Sequence, residues 1–342
     1  MTNTDYIIQR SGAACIKEAY LLFINNIKRI FLATWKPALI LSVVAGLGTL
    51  ILPPFFATTM ATPPQSETEA VANYASTVFL PVVYLFVCAG FFLWMLSNVQ
   101  TQLTGGNFKK NIRHALAFYG VAVIFYGGVY VLFNVLAYFA GMSLVRGGMP
   151  VPQFMRWFFT GFGIFFLIFF LHLPALCHAV VQGLWHTERK PWRLLGSGLA
   201  TGLRHWGFLF KIFFLTGIIA LLICCVAWLP TGVVFLAVNA DAYGQIVMGD
   251  ASGLPNSFPA LNCISTAVTT FILSYMGVWL YLNYFYAACS IEAKKAAKKA
   301  AKEEEKTMET EANAETGVSR MASGSCFLYH DPQSSNRSFS NA

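Results

Sequence analysis

Residues 212–239 read IFFLTGIIALLICCVAWLPTGVVFLAVN, without one Asp, Glu, Lys or Arg. As a helix rising about 1.5 Å per residue, this run outreaches the roughly 30 Å hydrocarbon core of a bilayer. A helix of a soluble domain keeps one face on water and shows charge there. The run is therefore read as membrane-spanning. Five more uncharged runs of spanning length flank it, at 37–60, 76–100, 115–141, 157–181 and 261–291. The predicted fold is all-α, a polytopic six-helix transmembrane bundle.

The composition agrees. Of 342 residues, 56% are hydrophobic and 11% charged, against about a quarter charged in an ordinary soluble domain. The net charge of +8 resides in short segments between apolar runs. Phospholipid headgroups are thus the expected anionic partner, and no basic segment accompanies a nucleic-acid-binding module. The eight Cys do not form a disulfide framework. Cys88, Cys177, Cys224, Cys225 and Cys289 lie in or at the ends of apolar runs, where Cys serves as a small apolar residue. No cleavable leader is apparent in the first 35 residues, and the first span is expected to direct insertion.

Lys and Arg set the orientation. The segments before span one, at 101–114, at 182–211 and after 291 are basic. Those at 61–75 and 240–260 contain no Lys or Arg, and 142–156 has only Arg146 and Arg156. This alternation predicts six spans with both termini in the cytoplasm, in a bacterial inner membrane.

Three of the basic segments have helical periodicity. In 13–34, Ile16, Tyr20, Phe23, Ile24, Ile27, Ile30 and Phe31 share one arc, with Lys17, Lys28 and Arg29 off it. In 107–116, Phe108, Ile112 and Leu116 form a stripe flanked by Lys109, Lys110 and Arg113. In 190–211 the stripe is Trp192, Leu195, Leu199 and Trp206, with Arg193 and Arg204 among the basic residues. Each segment precedes a pair of spans. The expected plan is three hairpins, each introduced by an amphipathic helix on the cytoplasmic side. The first segment suits either an interfacial position or packing on the bundle ends. The eight Lys and Arg residues named here are the candidate lipid-headgroup ligands. The domain reading is 1–35 interfacial segment, 36–291 membrane domain, 292–312 charged helical stalk and 313–342 disordered tail, the stalk resting on the helix-favouring EAKKAAKKAAKEEEK.

Chemistry is sparse. No span carries an acidic or basic residue, and GxSxG, HExxH and P-loop patterns are absent. Neither a catalytic set, nor a metal site, nor a cofactor is expected. His172 and His178 are six residues apart on opposite sides of a helix, unlike the i,i+4 spacing of a metal pair, and His178 is expected at a wetted interface. Asn134 and Asn283 lie in spans three and six, where amides bridge helices. These four are the candidate intramembrane polar residues. Gly46-x-Gly48, Gly127-Gly128 and Gly161-x-Gly163 are candidate sites of close helix approach.

The lead-ins IKEAYLLFINNIKRIF (16–31), NFKKNIRHALAFYG (107–120) and PWRLLGSGLATGLRHW (191–206), each before an apolar hairpin, resemble the layout of poorly characterised bacterial six-span proteins. These include the membrane domain attached to some glycerophosphodiester phosphodiesterases. The resemblance covers about residues 13–291 and brings no catalytic residues. It implies an accessory or scaffold role in the membrane. The expected function is a non-enzymatic membrane protein that organises lipid, or a protein partner through the C-terminal tail. The alternative is a transporter or channel for a small neutral or lipid-like solute.

Overall fold

The computed structural model describes residues 6–52, 80–146 and 151–325. The expected outer connection 61–75, the Pro53-Pro54 pair, Gly147-Gly148 and residues 326–342 lie outside them. Among the described residues there are eight α-helices and no strand. They are α1 (Gly12–Asn25), α2 (Ile27–Ile51), α3 (Leu80–Thr104), α4 (Phe108–Arg146), α5 (Val151–Trp185), α6 (Pro191–Arg204), α7 (Trp206–Tyr243) and α8 (Phe258–Ser325). Six of them, α2 to α5, α7 and α8, are long and apolar enough to cross a membrane. The chain is a multi-pass helical bundle, as its apolar runs require.

The chain divides into two compact units, Met1–Ser290 and Ile291–Ala342. In the first, the three expected hairpins are antiparallel pairs. Asn98 of α3 donates to the Ala33 carbonyl of α2 at 2.9 Å, and Tyr84 to that of Ala45 at 2.9 Å. Tyr126 of α4 meets His172 of α5 at 2.8 Å. Thr231 of α7 meets Thr269 of α8 at 2.7 Å. Successive hairpins also touch: Tyr119 of α4 donates to the Phe86 carbonyl of α3, and Asn111 to Thr101 at 3.0 Å.

The three lead-ins differ in form. The first splits at Asn26, whose backbone N–H and side-chain amide both donate to the Leu22 carbonyl, leaving φ −117° and ψ 16°. Ile27, Ile30 and Phe31 therefore belong to α2. The third breaks the same way at His205, with φ −107° and ψ 23°. In both, a helix of 14 residues precedes a one-residue break and then a long span. The second lead-in is not a separate helix. Asn107 caps Lys109 N–H at 3.1 Å, and α4 runs unbroken through Arg146.

The third lead-in doubles back along α5. Gly198 faces Ala179, Gly202 faces Ala175, and Trp206 Nε1 donates to the Leu171 carbonyl at 2.8 Å. Each step of four residues up α6 is a step of four down α5, the signature of an antiparallel pair. A Cβ on Gly198 would lie 2.8 Å from the Ala179 Cα, and one on Gly202 would lie 2.7 Å from the Ala175 Cα. Only glycine permits that approach. Leu194 and Leu195 of α6 complete a core with Phe118 and Val121 of α4 and with Ala179.

The centre of the first unit is the segment 281–290 of α8, in which every residue is buried. Tyr281 donates to Gln100 of α3 at 2.6 Å. Phe285 packs against Tyr6 and Trp185, with ring centroids at 5.6 and 5.5 Å. Ser290 exchanges two hydrogen bonds with the Arg10 backbone, at 2.9 and 3.0 Å. Of the glycines singled out in the sequence, Gly46 does allow a close approach: its Cβ would stand 2.6 Å from the Cys263 carbonyl oxygen. At Gly127, Gly128, Gly161 and Gly163 no described atom lies within 4 Å of that position.

In the second unit, Lys295–Glu292 at 3.0 Å and Lys299–Glu303 at 3.6 Å pair along an exposed helix surface. The helix extends to Ser325, past residue 312 where the sequence reading ends the stalk. Ala314, Glu315 and Ala322 favour helix in that extension.

Candidate functional site

The connections at 105–107 and 186–190 lie at the same end of the bundle, tied together by the Lys110–Glu188 ion pair. Gly105, at φ +69°, ends α3 and turns the chain into α4. The hydrogen bonds of Asn98 to α2 and of Asn111 to α3 bring the starts of α2 and α4 beside the last turns of α3. This is the basic end. The Lys110 ammonium accounts for the ionisation of Glu188, holding its carboxyl below the usual range through a hydrogen bond and charge.

All eight candidate headgroup residues are exposed. Lys28 and Arg29 open α2, Lys109, Lys110 and Arg113 open α4, Lys17 lies on α1, and Arg193 lies at the start of α6. Arg204 is placed differently. Because α6 folds back along α5, it carries Arg204 about 20 Å from the 186–190 connection, two residues from the Trp206–Leu171 contact.

Part of the apolar arc of the first lead-in faces outward, while Ile30 is buried and Ile16 and Phe23 are half-buried. Tyr20 is 54% exposed and Ile27 50%, with Ile24 and Phe31 also exposed. The side of α1 turned to the protein consists of Cys15 and Ala19, both fully buried. Burial pushes the Cys15 thiol up to about 11. Gly12 of α1 lies against Ile212 of α7, where an added Cβ would be 3.5 Å from its side chain. Small residues thus dock α1, leaving Tyr20, Ile24 and Lys17 uncovered.

Two concavities adjoin the basic end. One, of about 460 Å³, is lined by Ile7, Thr104, Asn111, Trp185, Glu188 and Arg189 among others. The other is an open groove of about 420 Å³ between α3 and α4, walled by Phe86, Gly90, Trp94, Ile112, Leu116 and Tyr119 together with Val87 and Phe91.

The intramembrane polar candidates separate. His172 bonds to Tyr126 across the α4–α5 pair. His178 is fully buried rather than wetted: α6 folds along one side of α5, and Tyr284 of α8 meets Cys177 on the other. Asn283, also fully buried, donates to the Trp279 carbonyl of its own helix at 2.8 Å instead of bridging to another helix. The Asn134 side chain lies outside the described residues. Among the described residues no three His, Cys, Asp or Glu side chains gather as a metal site would need.

Two features of the packing stand outside the expected sites. One is the Gly198-x-x-x-Gly202 face of α6 against Ala175-x-x-x-Ala179 of α5, which small residues at four-residue spacing could have revealed. The other is the buried pair Gln100–Tyr281, for which a lone Gln near a span end gave no cue. Compared with family models, curated proteins and solved structures, the chain matches none of them.

Proposed function

We propose that this protein is a non-enzymatic membrane scaffold that organises anionic lipid at the cytoplasmic face of a bacterial inner membrane, with both termini on that face. The observation that carries the reading is the outward arc Tyr20, Ile24, Ile27 and Phe31, set beside exposed Lys17, Lys28 and Arg29. An apolar arc docked by Cys15 and Ala19 is unfavourable in water but suits the acyl boundary, and the cations beside it suit headgroups. The exposed lysines and arginine at the start of α4 extend this collar around the basic end. The distribution of Lys and Arg supports the orientation. The polar stretch after Ser290 is available to a protein partner.

The test is lipid selectivity. The full chain is reconstituted in phosphatidylglycerol–phosphatidylethanolamine nanodiscs, and spin-labelled lipid reports the composition of its boundary layer. Lys28→Glu with Arg29→Glu should lower the preference for phosphatidylglycerol. An unchanged preference would sink the reading.

A second reading, a path for a small neutral solute, draws on buried polar atoms without partners among the described residues: Gln100 Nε2, Gln182 Nε2 and Asn283 Oδ1. Such atoms in a dry interior are costly and become satisfied by water or a solute. Neither concavity is lined by Asn283 or His178, which favours the scaffold. Solute-dependent swelling of proteoliposomes, lost in Asn283→Leu, would reverse that preference.

A further inference from the structure

We infer that the groove between α3 and α4 binds one anionic phospholipid, with an acyl chain along the groove and the phosphate between Lys109 and Arg113. The inference rests on the basic end lying in the headgroup region.

The groove has the dimensions and chemistry of a chain site. From Phe86 to Trp94 it follows α3 for about 12 Å, close to the roughly 15 Å depth of one leaflet. Its walls are apolar, and the hydroxyl of Tyr119 is already committed to the Phe86 carbonyl. Gly90 keeps the floor open, since a Cβ there would come within 3.2 Å of the Tyr119 ring.

Polarity appears at the end where a headgroup would sit. Of the groove residues on α3, Trp94 is nearest the Thr101–Asn111 hydrogen bond, hence nearest the basic end. Its indole N–H is buried without an acceptor among the described residues. The ester carbonyls of a phospholipid would lie at the depth of this ring, the usual placement of Trp at a membrane interface. Lys109 and Arg113 are each three residues before a groove residue, Ile112 and Leu116, and share their side of α4. Both are exposed. The ion pairs among the described residues use Lys110, Lys295 and Lys299, so no carboxylate of the described residues occupies Lys109 or Arg113. Two cations at the mouth complement a net-negative headgroup better than a zwitterionic one, which brings its own ammonium.

Native mass spectrometry of the full chain, released from phosphatidylglycerol–phosphatidylethanolamine nanodiscs, should show one retained phosphatidylglycerol. Bromine on its acyl chain should quench a fluorescence component absent from Trp94→Phe. Lys109→Gln with Arg113→Gln should reduce retention on the order of tenfold, the scale expected for two basic side chains at an anionic surface. Gly90→Leu should abolish retention by filling the groove. The surface Gln pair alters no packing, so it decides the matter even if Gly90→Leu fails to fold. Unchanged retention in the Gln variant overturns the inference. If Lys28→Glu with Arg29→Glu still shifts the boundary-layer lipid, the collar reading survives that failure. If neither pair has an effect, both readings fall.

Discussion

Replacing Gly202 tests the close backbone approach of α6 to α5. A Cβ there would lie 2.7 Å from the Ala175 Cα and 3.0 Å from its carbonyl oxygen. Ordinary contact begins at 3.4 Å, so the shortfall is about 0.7 Å. The obstacle is backbone, which cannot turn aside as a side chain can. α6 must therefore move off α5, and a gap of that order forfeits a quarter to a half of each dispersion contact across the interface. Overpacking of this kind costs about 1–3 kcal/mol. Against it stands the gain of about 1 kcal/mol for alanine over glycine in a helix. Gly196 provides the control, since it lies in the same helix with nothing within 4 Å of its Cβ position. Gly196→Ala should raise stability by the propensity gain alone. Gly202→Ala should fall about 1–3 kcal/mol below that control. Gly198→Ala should behave like Gly202→Ala, and the double variant should cost less than the two together, because one separation of the helices relieves both clashes. Reversible unfolding of the purified protein in mixed micelles, followed by Trp fluorescence, measures the differences. Equal stabilisation by Gly196→Ala and Gly202→Ala would refute the antiparallel α5–α6 packing.

Two further outcomes follow from the polar ties. Tyr281→Phe strands the buried Gln100 Oε1 and should cost about 1–3 kcal/mol, much of it recovered in Tyr281→Phe with Gln100→Leu; an additive double-mutant cycle would mean that no hydrogen bond joins them. Since Lys110 holds Glu188 below its ordinary range, the stability from that ion pair is present above the unfolded carboxyl's value of about 4.3 and lost as pH falls through the depressed folded value. Spin-label distances between residues 107 and 187 should therefore broaden in acid in the wild type and be broad at every pH in Glu188→Gln. A narrow, pH-independent distribution in both would remove the tie.

The number of long apolar helices was legible in the residues because transfer into hydrocarbon depends on composition and length. Residues 212–239 needed no neighbour to be read. The periodicity of the lead-ins was also legible, and in the first of them Tyr20, Ile24, Ile27 and Phe31 turn outward while Ile30 is buried. Which surface of a helix finds another helix is a different kind of question. The stripe Leu195 and Leu199 in α6 reads equally well as lipid-facing or protein-facing, since both environments are apolar.

Sequence alone therefore established the six long apolar helices, the concentration of charge between them, and the absence of a recognisable catalytic motif. Only the tertiary structure decided that α6 turns back along α5, that segment 281–290 of α8 is enclosed on every side, and that His178 is buried. It also opened the groove beside Lys109 and Arg113. The reason is physical. In a membrane protein hydrophobicity drives helices out of water but does not choose between lipid and protein. That choice falls to close packing at residues such as Gly198 and Gly202 and to a few side-chain hydrogen bonds, both of which depend on what stands opposite.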